Sequence, residues 1–140
     1  MNVLIVGQGG REHAMAWKLS LSNEVDTVFV APGNGGTANE NKCINIDIAV
    51  NDFLALEKLV IDKEINLIVI GPEDPLVNGI KDHFQNKNVK VFGPDKAGAK
   101  LEGSKIYAKK FMFENDIPTG RAEFFSDANL AKKYINTIDS

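Results

Sequence analysis

The chain has 140 residues, enough for one ordinary domain with a core that needs no disulfide or metal to fold. Hydrophobic residues at 44% and charged residues at 25% exclude disorder of the chain as a whole. Its 16 basic and 19 acidic residues are spread along the chain and leave a net charge of -3, which excludes the basic field that nucleic-acid binding needs.

Cys43, the single cysteine, cannot form an internal disulfide, and no Cys/His cluster has zinc-ligand spacing; a buried, inert thiol is the expected role. No apolar run approaches the length of a membrane span, and no basic leader precedes the first apolar run, so no membrane partner and a reducing cytoplasm are the expectation.

Val3-Leu4-Ile5-Val6 predicts a strand buried on both faces. Gly7-Gln8-Gly9-Gly10 then turns the chain, and Glu12 onward predicts a helix. Free N–H groups in a first helical turn attract anions, and Arg11 adds a fork of donors suited to phosphate. Gly7-x-Gly9 is half of a dinucleotide fingerprint, but Glu12 stands where the third glycine belongs. A phosphate site and a plain turn with a solvated Arg11 are both open on this stretch.

Ala14, Trp17, Leu19 and Leu21 lie at roughly helical spacing, which places Trp17 in the core. Thr27 to Val30 predicts the second strand and completes a βαβ unit. A dinucleotide fold would place a carboxylate at that strand's end; here Ala31-Pro32-Gly33-Asn34-Gly35-Gly36-Thr37 follows. This second glycine-rich loop offers the Asn34 amide and the backbone around Gly35 to a small polar ligand, or is a surface turn.

Cys43 to Ile46 predicts a short strand, and Asp52 to Lys63 a helix burying Phe53, Leu56, Leu59 and Val60. Asn66 to Ile70 predicts another buried strand, ending in Gly71-Pro72-Glu73-Asp74-Pro75. The Glu73 carboxylate can accept from both hydroxyls of a ribose, while Asp74 is expected to cap a helix from Leu76 to Gln85. Val89 to Phe92 predicts the last strand of the set. The pattern describes an α/β fold with a doubly wound, mainly parallel sheet of four or five strands. Gly103 and Ser104 punctuate two helices; beyond them a strand over Arg121 to Phe125 and a helix over Asp127 to Ile135 are expected.

Together the motifs resemble the glycinamide ribonucleotide synthetase (phosphoribosylamine-glycine ligase) family of the ATP-grasp superfamily. The residues that carry the resemblance are Gly7 to His13, Ala31 to Ala38, Gly71-Pro72-Glu73, Phe92-Gly93-Pro94, and Leu101 to Lys105 with Phe111-Met112 and Ile117-Pro118-Thr119. Gln8 departs from the family's usual small residue. The resemblance implies a Rossmann-like, pre-ATP-grasp domain over residues 1–103 that binds 5-phosphoribosylamine, and the truncated beginning of an ATP-grasp domain over 104–140. It implies Gly9, Gly10 and Arg11 near the phosphate, Asn34 and Gly35 nearby, Glu73 on the ribose, and Lys105 reaching an ATP phosphate. It also implies a cytoplasmic ligase that is monomeric at full length, uses ATP with magnesium or manganese, and passes through a glycyl phosphate to join glycine to the amine. The glycine, adenine and metal sites would lie past residue 140, so no catalytic residue is expected within this stretch. A related ATP-grasp carboxylase or transferase of purine synthesis and a dinucleotide-binding module are the competing readings.

Overall fold

Five strands, β1 (Asn2–Gly7), β2 (Thr27–Pro32), β3 (Cys43–Asn45), β4 (Ile65–Ile70) and β5 (Lys90–Phe92), pair in the order β3-β2-β1-β4-β5, and every pairing is parallel. The computed structural model describes residues 1–138. It divides into two compact units, Met1–Gly103 and a second from Ser104 onward.

The alternation of side chains along the strands builds two cores, one on each face of the sheet. Leu4, Val6, Phe29, Ala31, Ile68 and Ile70 point to one face. There they meet Leu56, Leu59 and Val60 of α2 (Phe53–Asp62), Ile80 of α4 (Ile80–His83), and Phe84. Val3, Ile5, Val28, Val30 and Val69 point to the other face and meet Ala16 of α1 (Gly10–Ser20). Helices cover both faces, so the sheet is doubly wound as the sequence pattern predicts.

The helix α1 turns a different side inward from the one expected. Its buried residues are Glu12, Ala16 and Ser20, at steps of four, with Met15 and Leu19 partly buried beside them. Trp17 is 49% exposed and Leu21 60%, so Trp17 is not a core residue. Small side chains at positions 16 and 20 face the sheet, Met15 and Leu19 flank them, and Trp17 and Leu21 are left outside. Cys43 is only half-buried; its thiol is pushed up by desolvation and by the nearby Glu40 carboxylate.

Asp52 caps α2 by accepting from the Ala55 N–H at 3.0 Å. The single helix expected over Leu76 to Gln85 is two short ones, α3 (Glu73–Val77) and α4, divided at Gly79, whose φ of +92° suits glycine. Asp74 does not cap it: α3 begins at Glu73 with Pro72 in the capping position, and Asp74 Oδ2 accepts from Asn51 Nδ2 at 2.6 Å. Asp95 caps α5 (Lys96–Gly103) through the Gly98 N–H at 2.8 Å.

A carboxylate at the amino edge of the sheet couples stability to pH. Glu57 accepts from Lys87 Nζ and from His83 Nε2, and the Lys87 bond first, then His83, holds its carboxyl below the usual range. A lowered folded pKa stabilises the protein above the unfolded value, about 4.3, and that contribution disappears as pH falls through the folded value. Urea titrations from pH 6 to pH 3 should therefore show Glu57→Gln losing less stability than wild type below about pH 4.3. Parallel curves would remove Glu57 from the acid response.

In the second unit, Ser104 caps α6 (Lys105–Glu114) through the Tyr107 N–H at 3.2 Å, and Asp127 caps α7 (Ala128–Ile135) through Asn129 and Leu130. The strand expected over Arg121 to Phe125 does not form; these residues are irregular. A strand needs a neighbour for its N–H and C=O groups, and none occurs in this unit among the described residues. Lys109 Nζ instead ties down the irregular stretch by donating to Thr119 Oγ1 and the Gly120 carbonyl.

Candidate functional site

Because all five strands run the same way, the turn after β1, the loop after β2 and the turn after β4 gather at one edge. The chain reverses its winding between β1 and β4, and open parallel sheets bind ligands outside the carboxyl ends of their strands at such a point. Arg11, in the first turn of α1, and Glu73, the first residue of α3, face each other there, Nη2 to Oε2 at 3.8 Å. Their side chains are 69% and 54% exposed, so the pair adds at most about 1 kcal/mol to stability. Both groups are open to a third partner.

Beside them a cavity of about 140 Å³ is lined by Arg11, Gly71, Glu73, Leu76, Pro94 and Glu102. A larger hollow of about 430 Å³ lies at the opposite, amino edge, among Glu57, Ile61, Asn66, Lys87 and Val89. Its size is the weaker argument, because Glu57 and Lys87 there already satisfy each other. The carboxyl edge has the free first-turn N–H groups and the unsaturated charged pair.

The glycines at this edge fall into two groups. A Cβ on Gly7, Gly9 or Gly71 would lie 2.5, 2.9 or 2.1 Å from atoms of Glu12, one on Gly33 2.3 Å from Asn45, and one on Gly36 2.5 Å from the His13 ring. These five make room for the protein's own side chains. A Cβ on Gly10 or Gly35 would meet nothing within 4 Å, so the side-chain face of each opens to free space, while the Gly35 carbonyl accepts from Asn39 Nδ2 at 2.6 Å. The N–H groups of Gly10 and Arg11, in the first turn of α1, have no intrahelical partner.

Asn34 is placed differently from its sequence reading. Its Oδ1 accepts from the Gly36 and Thr37 N–H groups at 2.7 and 3.0 Å, and its Nδ2 donates to the Gln8 and Gly9 carbonyls at 2.9 and 3.3 Å. The amide is fully used in tying the second glycine loop to the first. Thr37, completely buried, and Asn45 extend the tie: Thr37 Oγ1 donates to Asn45 Oδ1, and Asn45 Nδ2 donates to the Asn34 carbonyl. Asn34 therefore shapes the site, while Gly35 beside it stays open. Gly9 is likewise committed, its N–H donating to Glu12 Oε2 at 2.6 Å.

Sequence reasoning missed Glu12, His13 and Asn45. The spacing Gly9-x-x-Glu12 is half of a capping box, in which an acid at the third helical position reaches back to the capping N–H; read only as a failed glycine fingerprint, it was silent. His13 Nε2 meets Glu40 Oε1 at 2.8 Å while its ring lies against Gly36, which fastens α1 to the second loop. Lys105 is exposed in the first turn of α6, in the second unit. No group of three or more His, Cys, Asp or Glu side chains that could hold a metal ion occurs among the described residues.

The family model described as "Phosphoribosylglycinamide synthetase, N domain" matches residues 1–102. Phosphoribosylamine–glycine ligases from Nostoc sp. and Haemophilus influenzae are 49% and 50% identical to the chain over 135 residues, covering 96% of it and 32% of each relative. The chain thus spans about a third of the length of the curated relatives it matches. A crystal structure of phosphoribosylamine–glycine ligase from Thermotoga maritima superposes with a TM-score of 0.64 at 31% identity, over 99% of this chain and 31% of that one. The biotin carboxylase domain of a single-chain bacterial carboxylase superposes at 0.66 with 12% identity over 96% of this chain and 34% of that one, a likeness of fold alone.

Proposed function

The chain belongs to the phosphoribosylglycinamide synthetase N-domain family, and from that premise we propose that it is the N-terminal part of an ATP-dependent ligase that joins glycine to 5-phosphoribosylamine. The observation that carries this reading is the pairing of Arg11 and Glu73 at the switch point, each more than half exposed, beside the open backbone of Gly10. A phosphoribosyl group has both chemistries these residues answer. Its phosphate takes the Arg11 guanidinium and the N–H groups of Gly10 and Arg11, with Gly35 at the neighbouring loop. Its ribose hydroxyls donate to the two oxygens of Glu73. Nothing at the end of β2 offers the carboxylate that an adenosine ribose requires, which disfavours a dinucleotide.

In this reading residues 1–103 bind the phosphoribosyl substrate and residues from 104 begin the nucleotide domain. Bound ATP, with its magnesium or manganese, would supply the phosphoryl group that activates the glycine carboxylate; Lys105, exposed in the first turn of α6, would donate to one of its phosphates. The described residues hold no metal-ligand set, so the metal and the acyl transfer are assigned to no residue here. A small-molecule ligase of purine synthesis, in the cytoplasm, needs no nucleic-acid or membrane partner, and no helix among the described residues is long and apolar enough to cross a membrane.

Calorimetry on wild type and Glu73→Gln, with ribose 5-phosphate and NAD as probes, tests the reading. Wild type should bind ribose 5-phosphate in preference to NAD. Gln keeps one acceptor and the shape, so the variant should bind several-fold more weakly at an unchanged melting temperature. Equal affinity in the two proteins, or tighter binding of NAD by wild type, would rule it out.

A further inference from the structure

Glu12 is 4% exposed, and its Oε1 is buried without a hydrogen-bond partner among the described residues. Its other oxygen holds the Gly9 N–H at 2.6 Å. The side chain occupies the space between the ends of β1 and β4 that Gly7, Gly9 and Gly71 leave open. In a glycine turn that binds a diphosphate, the second glycine lets the backbone approach the ligand and a third glycine lets the helix pack closely on the strand. Here Glu12 stands at the third position and its carboxylate holds the N–H of the second glycine, Gly9.

We propose that Glu12 is a specificity-determining residue that closes the first glycine turn to diphosphates. By committing the Gly9 N–H and placing a carboxylate beneath the turn, it leaves only the donors of Gly10 and Arg11, enough for one phosphate ester. A diphosphate laid across Gly7–Gly10 meets a fixed negative charge and finds one of its donors already used. The inference rests on the reading of this edge as a phosphate site, and it deepens that reading by naming the ligand class as monophosphate esters.

The test follows backbone amide NMR signals during titration with inorganic pyrophosphate, for wild type, Glu12→Ala and Glu12→Gln. In wild type the Gly9 amide should not respond. Alanine frees that N–H and removes the charge, so the Gly9 amide should shift and pyrophosphate affinity should rise at least tenfold. Glutamine keeps an acceptor and the volume without the charge, so its Gly9 amide should stay unresponsive; a purely structural role would not separate the two variants in this way. A responsive Gly9 amide in wild type or in Glu12→Gln, or no gain in folded Glu12→Ala, overturns the proposal. Should Glu12→Ala fail to fold, pyrophosphate affinity of Glu12→Gln decides: removal of the charge should raise it severalfold over wild type, and no gain overturns the proposal. Failure of wild type to bind ribose 5-phosphate would overturn the functional reading instead, and leaves these pyrophosphate outcomes intact.

Discussion

Arg11→Ala is expected to weaken ribose 5-phosphate binding by about 1.5–3 kcal/mol, which is roughly 10- to 150-fold, because a charge-assisted bond to the phosphate is lost. The fold should scarcely register the change. Arg11 is 69% exposed, and its contact with Glu73 is long, at 3.8 Å between two solvated groups. Thermal melts of wild type and variant should therefore coincide to within about 1 kcal/mol of stability. The split is diagnostic: a large loss of affinity at constant stability places Arg11 on the ligand. Unchanged affinity by calorimetry would return its guanidinium to the solvated surface and leave the phosphate only the backbone N–H groups of the first turn.

The second large effect is on the scaffold. Leu4 lies on the central strand, fully buried among Phe29, Leu56, Ile68 and the other residues of that core. Leu4→Ala should cost about 2–5 kcal/mol, the lost transfer energy plus a cavity that a strand paired on both sides cannot close. Since the chain divides at Gly103 and Ser104, the loss should be confined. Native-state hydrogen exchange should show weakened protection throughout β1 to β5, with the amides of α6 and α7 exchanging as in wild type. That pattern would support separate roles for residues 1–103 and for those that follow. An equal loss in both segments would make the chain one cooperative unit.

The second unit buries far less apolar surface than the first. Neither α6 nor α7 has a buried residue, and Ile106, Phe111, Phe113, Ile117, Phe125 and Leu130 are all exposed. Such side chains gain little from burial within 35 residues of short helices and irregular chain.

What was legible in the sequence follows from how local each signal is. Short, β-branched runs such as Val3 to Val6 and Leu67 to Ile70, each ended by a glycine turn, point to doubly buried strands, so the parallel sheet and its winding were readable. The Ser104 cap was readable for the same reason, since a cap acts within three residues. Trp17 and the phase of α1 were not. Apolar size pointed to one side of the helix, but close approach to the sheet selected Ala16 and Ser20, and that choice is made only once the strands are in place. Asp74 failed similarly: a proline-led start at Glu73 and the distant Asn51 decided its partner, and neither is visible in a capping pattern.

The candidate site divides in the same way. Arg11, Glu73 and the open glycines Gly10 and Gly35 could be picked out because they sit at strand ends, and the sheet brings strand ends together. Asn34 and Gly9 could be seen as polar groups of a loop, but their commitment to Gln8, Thr37 and Glu12 is a tertiary fact. Glu12 had a readable signal in its spacing from Gly9, masked by the stronger glycine pattern around it.

The central claim is that the carboxyl edge between β1 and β4 holds a phosphoribosyl group, and amide NMR during titration of wild type with ribose 5-phosphate tests it most directly. The account expects saturable shifts at Gly10, Arg11, Gly35 and Glu73, with the amides at the amino edge around Asn66 and Asn88 unmoved. Shifts confined to the Asn66 and Asn88 region, or none at Gly10 and Arg11 at saturation, would contradict it.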